Sequence, residues 1–159
     1  MEAIIFCGIQ ASGKTTFYKE RFFKTHLRIS LDLLNTRRKQ NIFLQTCLET
    51  QQRFVLDNTN VTRKERLTYI GNAKHFRFKL VCYYFHSTVG EAISRNKNRT
   101  GKEHVPPAGI GGTYKKLEPP DYEEGFDEIY DVKILENSFA VNILEKNSGN
   151  ILTSTGEEV

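Results

Sequence analysis

Residues 8–15 read Gly8-Ile9-Gln10-Ala11-Ser12-Gly13-Lys14-Thr15, the pattern G-x-x-x-x-G-K-[ST], and no other stretch limits the possible folds of the chain so much. Its two glycines let the backbone curl until successive N–H groups point at one spot, where they can cradle a phosphate. Lys14 adds a positive charge for the outer phosphates of a nucleotide, and the Thr15 hydroxyl can ligate Mg²⁺. The pattern has this meaning only between a strand and a helix. Ala3-Ile4-Ile5-Phe6-Cys7 before it is an apolar run of buried-strand type. After it, Phe17, Tyr18, Phe22 and Phe23 recur at amphipathic-helix spacing. The helix N-terminus brings its positive dipole end to the same spot. Gly8 through Thr15 and the adjoining Thr16 are therefore the candidate contacts for ATP or another nucleoside triphosphate, with Thr15 the candidate metal ligand.

Strands and helices alternate along the rest of the chain. Leu27-Arg28-Ile29-Ser30 predicts a second strand, ending just before Asp32. Leu33 to about Gln51 predicts one helix with Arg37, Arg38 and Lys39 in its early part. Arg53-Phe54-Val55-Leu56-Asp57 predicts a third strand closed by an aspartate, a residue that in nucleotide-binding α/β domains reaches the Mg²⁺ shell. Asn58-Thr59-Asn60 follows at the strand's C-terminal end, where open parallel sheets collect their ligands. Thr62-x-x-Glu65 and Thr88-x-x-Glu91 are capping boxes, each opening a helix. Between them Leu80–Phe85 is the strongest strand of the chain.

The helix after Thr88 carries Arg95 and Arg99, whose spacing places both guanidinium groups on one face. Two like charges so placed repel each other unless an anion lies between them; otherwise they are ordinary solvated arginines. Gly101–Gly112, rich in Gly and Pro, predicts a mobile loop or a poor helix. Gly125–Ile134 predicts a last core strand, and Phe139–Leu144 a short additional one. The segment from Asn147 to Val159 reads as a frayed end. The resulting expectation is an α/β fold with a mostly parallel sheet covered on both faces. The domain spans residues 1–137, followed by a C-terminal extension, 138–159.

With 159 residues the chain suffices for one domain with a proper core. No apolar run approaches the ~20 residues of a membrane span, and no secretory leader pattern is visible. Cys7, Cys47 and Cys82 are odd in number and widely spaced, which suits buried thiols in a reducing, cytoplasmic setting. Residues 1–102 hold 19 Lys and Arg against 7 Asp and Glu, while residues 103–159 hold 4 against 12. That asymmetry suits a polyanionic partner for the first two-thirds, although solvated helix faces give the same count.

Several of these stretches fall in one order that resembles the kinase domain of the polynucleotide 5′-hydroxyl kinase family, both phage and animal end-repair enzymes. The matching stretches are Gly8–Thr15, Asp32 after the second strand, Asp57-Asn58-Thr59-Asn60, Arg95-Asn96-x-x-Arg99, Val105-Pro106, and Tyr114-Lys115 through Glu118-Pro119-Pro120 to Glu124-Gly125-Phe126. Together they span roughly residues 2–134. The resemblance implies the adenylate-kinase-like branch of P-loop folds and γ-phosphate transfer from ATP to the 5′-hydroxyl end of DNA or RNA. It implies Asp32 as general base and Lys14 and Thr15 as phosphate clamp and Mg²⁺ ligand. Arg95 and Arg99 become arginines of a lid, and Asp57, Thr59 and Asn60 shape the acceptor side. The phage enzyme's arginine three residues after the base is replaced here by Asn35. Arg37 and Arg38 are alternative acceptor-phosphate contacts by sequence proximity alone. Ser30-Leu31 stands where the family usually has Asn-Arg. No D-x-D-G-T segment of the associated 3′-phosphatase occurs in the chain. A small-metabolite kinase and a nucleotide-binding switch without acceptor remain open on the same loop.

Overall fold

The computed structural model describes residues 1–146; the segment 147–159, read above as frayed, lies outside them. Six strands form a single sheet: β1 (Glu2–Cys7), β2 (Leu27–Ile29), β3 (Phe54–Leu56), β4 (Lys79–Phe85), β5 (Glu128–Leu135) and β6 (Ser138–Ile143). Their spatial order is β2-β3-β1-β4-β5-β6. The first five are parallel, and β6 returns antiparallel along β5. Six α-helices cover the sheet: α1 (Lys14–Arg21), α2 (Leu31–Leu34), α3 (Arg37–Glu49), α4 (Arg63–His75), α5 (Val89–Asn96) and α6 (Pro107–Lys116).

A central parallel strand is buried on both faces, so it must be apolar at every position rather than at alternate ones. In β1, Ala3, Ile5 and Cys7 face a core built with Leu44, Cys47 and Leu48 of α3 and Tyr69, Ile70 and Ala73 of α4. Ile4 and Phe6 face the other way, onto Phe17, Tyr18 and Phe22 of the α1 region. On that second face the Phe6 ring meets the rings of Phe17, Phe22, Tyr83 and Phe85 with centroids 4.9–6.1 Å apart. Each fully buried phenylalanine contributes about 1.5–3 kcal/mol of transfer free energy. The three cysteines are buried free thiols, as expected.

Both capping boxes form as read: Thr62 with Glu65 opens α4, and Thr88 with Glu91 opens α5. Two expectations are corrected, and one is decided between its alternatives. The helix expected from Leu33 to Gln51 is two helices. The Asn35 backbone enters the left-handed region (φ 65°), and Thr36 then caps α3 by accepting from Lys39 N. Of the two readings of the glycine-rich Gly101–Gly112 stretch, loop or poor helix, the helix forms from Pro107 on. Pro107 stands in the first turn of α6, where its missing N–H costs nothing, and the helix runs on through three glycines to Lys116. Apolar side chains hold it in place: Ile110 is buried with Ile9, Ala11 and Ala92. Finally, the boundary at residue 137 falls inside a hairpin. β6 pairs with β5 from Leu135↔Ser138 to Tyr130↔Ile143, and Phe139 and Val141 pack on the α1 face of the core.

Candidate active site

The C-terminal ends of β1, β2 and β3 open into a cleft of about 900 Å³. Its floor is the Gly8–Thr15 loop, and each glycine there is required for a different reason. A β-carbon on Gly8 would lie 2.9 Å from Phe85 Cβ, because the loop leaves β1 hard against the end of β4. Gly13 sits at φ +93° and packs against Ile134 and Phe139 of the β5–β6 hairpin. Gly13 is also the residue that caps α1, so the loop delivers the chain straight into the helix N-terminus.

Lys14 is folded back into its own loop. Its ammonium group donates to the carbonyls of Gly8 (2.9 Å) and Ile9 (2.6 Å) and to Ser12 Oγ (3.3 Å). Burial lowers its pKa to about 8, against the opposing pull of Asp57. These bonds are ones a phosphate oxygen can replace, and the cleft opens directly above them.

The Asp57-Asn58-Thr59-Asn60 turn ties four separate pieces of the site together. Asp57 Oδ2 accepts from Thr15 Oγ1 at 3.2 Å and from Arg28 Nε at 2.7 Å. Asn58 Oδ1 accepts from the backbone N–H of Leu31 at 2.9 Å, while its amide donates to Gln40 Oε1 at 2.7 Å. The Thr59 carbonyl accepts from Gly8 N–H at 2.9 Å. Asn60 is buried and gives its amide to the Phe6 carbonyl at 2.8 Å. Asn60 therefore locks the turn onto β1 rather than offering its amide to a substrate.

Asp32 lies in the cleft wall on α2. An aspartate before a helix is often its cap, but here Ser30 takes that role and accepts from Asp32 N–H at 3.2 Å. The Asp32 carboxylate makes no hydrogen bond among the described residues and is open to solvent. It lies close enough to Lys14 to raise that lysine's proton affinity. Asn58, by holding Leu31, fixes the helix that carries it.

Arg95 and Arg99 both line the cleft, but not on one helix face as the spacing suggested. The helix ends at Asn96, and Arg99 belongs to the turn beyond it. Arg95 donates to the Ala11 carbonyl at 2.6 Å and to Ser87 Oγ, which fastens α5 onto the phosphate loop. Asn96 donates to the Val105 carbonyl (2.6 Å) and accepts from its N–H (3.0 Å), closing the loop that presents Arg99. Arg37 lines the same cleft and donates to Tyr69 Oη at 2.8 Å. Arg38 is exposed and stands outside the cleft wall.

No family model matches the chain. It is 25% identical over 137 residues to a bifunctional polynucleotide phosphatase/kinase of Schizosaccharomyces pombe, a match covering 82% of this chain and 33% of that protein. The chain thus spans about a third of that relative's length. Among solved structures it is similar to Chaetomium thermophilum Kti12 in complex with ADP-AlF3, with TM-score 0.63, 16% identity and coverage of 82% of this chain and 88% of that one. It is also similar to a gluconokinase from Sinorhizobium meliloti 1021, with TM-score 0.59, 18% identity and coverage of 85% and 83%. The fold is that of the P-loop kinases.

The later motif stretches mostly turn out to hold the fold together rather than to line the cleft. Glu124 is a buried carboxylate that accepts from Arg66 Nε (3.0 Å) and Nη2 (2.8 Å), both side chains being fully buried. Arg66 also donates to the Asn60 carbonyl at 3.0 Å, so this pair braces the turn bearing Asp57. Gly125 sits at φ +113°, and Phe126 is core. Glu118 accepts from Arg63 N–H at 3.1 Å, at the start of α4. Two neighbours of the site carry little signal in the sequence. Asn58 stands inside its motif with no role that local spacing can assign. Arg28 sits in an unremarkable strand, and its only signal was a charge inside an otherwise apolar run.

Proposed function

We propose that the chain is an ATP-dependent polynucleotide 5′-hydroxyl kinase, transferring the γ-phosphate of ATP to the 5′-OH end of DNA or RNA. The observation that carries this reading is Asp32: an unpaired carboxylate, fixed by Asn58 and Ser30, in the same cleft as Lys14. A nucleotide switch needs no such group. Phosphoryl transfer depends on in-line positioning and charge neutralisation, and a carboxylate opposite the phosphates can orient a hydroxyl and take its proton. The Schizosaccharomyces pombe relative is by its name a polynucleotide phosphatase/kinase, which supports a polynucleotide acceptor.

In this reading the loop N–H groups and Lys14 hold the β- and γ-phosphates, Lys14 exchanging its carbonyl partners for phosphate oxygens. Thr15 and Asp57 fit a Mg²⁺ ion. They offer a hydroxyl and a carboxylate 3.2 Å apart in the cleft, and Mg²⁺ is commonly held by one or two carboxylates with substrate phosphates completing its shell. Such an ion neutralises charge building up between the phosphates. Among the described residues no group of three or more His, Cys, Asp or Glu side chains forms a metal cage, which suits a cation arriving with its nucleotide. Arg99 faces the transferred group, Asn96 closes the loop that carries it, and Arg95 fastens α5 to the phosphate loop. Asp32 accepts the proton of the attacking hydroxyl. Arg37 and the basic N-terminal two-thirds serve the acceptor backbone.

The test is incubation with γ-labelled ATP, Mg²⁺ and a 5′-hydroxyl oligonucleotide. Label in the oligonucleotide supports the reading. Label only in gluconate or another small alcohol returns the chain to a small-metabolite kinase. Hydrolysis with no acceptor labelled returns it to a switch. Oligonucleotide binding should also weaken with salt by a log–log slope of about −0.7 for each phosphate contacted on a single strand.

A further inference from the structure

Arg28 lines the cleft, and no motif accounts for it. It projects from β2, the edge strand of the sheet, with a side chain only 18% exposed. Its guanidinium reaches both oxygens that fit the metal: Nε donates to Asp57 Oδ2 at 2.7 Å, and Nη2 donates to Thr15 Oγ1 at 3.1 Å. The guanidinium carbon lies 6.0 Å from the centroid of the Tyr18 ring, whose hydroxyl is itself tied to the His26 carbonyl at 2.8 Å. The Asp57 side chain is 2% exposed, so its charge is compensated almost entirely from within the protein.

We propose that Arg28 and a divalent cation compete for Asp57 and Thr15, so that Arg28 excludes the metal until it arrives with nucleotide. Charge favours competition over coexistence. The Thr15 hydroxyl gives its proton to Asp57 and one lone pair to Arg28, and an ion on the remaining lone pair would share that oxygen with the guanidinium. Mg²⁺ sits 2.0–2.1 Å from its oxygen ligands. An ion on Thr15 Oγ1 would therefore stand within about 5 Å of the Arg28 nitrogen that donates to the same atom, a close approach of like charges in a shielded site. Phosphates bring enough negative charge to reverse that balance; water ligands do not. Arg28 is thus a positioning residue that keeps Asp57 and Thr15 aligned and sets the order in which metal and nucleotide bind.

The inference rests on the nucleotide half of the proposed function and not on its acceptor. The experiment is a titration of the full chain with Mn²⁺ alone, followed by electron paramagnetic resonance, since carboxylate and hydroxyl sites take Mn²⁺ in place of Mg²⁺. Arg28→Met keeps the long apolar stem beside Tyr18 and removes the charge; Arg28→Lys keeps the charge. Arg28→Met should bind Mn²⁺ about tenfold or more tightly than wild type, with Arg28→Lys close to wild type. Equal or weaker Mn²⁺ binding in a folded Arg28→Met would overturn the proposal and make Arg28 a permanent support for the carboxylate. A second measurement needs no variant. In the wild type, the Arg28 Nε–H resonance should lose its hydrogen-bonded shift when Mg²⁺ and a non-hydrolysable ATP analogue are added together. Its retention would count equally against the idea. No acceptor enters either measurement, so failure here and failure of the kinase assay are separable.

Discussion

The two walls of the cleft are built on opposite principles. The phosphate-loop wall is closed and dry: Ile9, Ala11, Ser12 and Lys14 are all buried, and the loop is pinned by Thr59, by Arg95 and by the apolar contacts of α6. The opposite wall is a single helical turn, Leu31–Leu34, with no buried residue, and Leu33 on it is 57% exposed. Two contacts distant in sequence fix that turn: the Asn58 bond to Leu31 and the packing of Leu34 on the core. A wall that grips a constant ligand can be rigid and local. In the proposed reading, a wall that meets a variable acceptor needs only one well-placed group, and here one long-range hydrogen bond and one apolar side chain place it together.

The comparison breaks first at Arg99. It sits at the rim of the closed wall, and its side chain makes no hydrogen bond among the described residues, so truncating it should leave the fold alone. Arg99→Ala should lower single-turnover transfer by about 10³–10⁵-fold, the range for a charge-stabilising arginine at a phosphoryl transition state, with melting temperature unchanged. Arg95→Ala should cost transfer too, but with lower thermal stability, because Ala11 and Ser87 lose their partner. Wild-type kinetics in Arg99→Ala would return it to an ordinary solvated arginine.

On the open wall the next effect belongs to Asp32. Ser30, not Asp32, caps α2, so Asp32→Asn should fold and melt normally. It loses the carboxylate that takes the proton, and transfer should fall by about 10²–10⁴-fold with nucleotide affinity retained. A folded variant transferring at the wild-type rate would place the base elsewhere.

How much of this was legible follows the same division. The phosphate loop, both capping boxes and the strands are read from local patterns, because their residues act within a few positions of one another. What escaped was long-range. The exception is the break at Asn35, which Ser30 and Thr36 set locally as the caps of α2 and α3. The helix through Gly109, Gly111 and Gly112 forms because Ile110 finds Ile9 and Ala92 across the fold. The Arg28–Asp57 and Asn58–Leu31 contacts join residues 29 and 27 positions apart. Arg38 was named by sequence proximity, and proximity does not tell which side of a helix faces the cleft.

Asn58 sharpens the comparison by testing whether hydrogen bonds alone hold the open wall. Asn58→Ala removes two of them, at a net cost of about 2 kcal/mol in stability. Transfer should fall by about tenfold, an order-of-magnitude expectation for a misplaced general base. In an Asp32→Asn background the same change should cost little further transfer, because the two residues act as a unit. Full additivity of the two losses would mean that Asn58 acts on something other than Asp32.

The smallest effect is a proton on the closed wall. Burial lowers the Lys14 pKa from 10.5 to about 8. Below about pH 8 both folded and unfolded chains hold the proton, and the cost of burying the charge is fully present. Between about pH 8 and 10.5 the unfolded chain binds a proton that the native one lacks, so this group's contribution to stability rises with pH across that window. Nucleotide binding runs the other way: a phosphate beside Lys14 favours the charged form, so the complex must take the proton up again. Cys7, pushed up to about 11 chiefly by burial, keeps its proton through most of this range and does not blur the signal. Calorimetry of nucleotide binding in two buffers of different ionisation enthalpy should give an uptake near one proton at about pH 9 and only about a tenth at pH 7, with affinity falling as pH rises above about 8. Lys14→Met should abolish the uptake. If wild type takes up no proton at pH 9, then Lys14 is charged throughout, and the closed wall is wetter than its burial indicates.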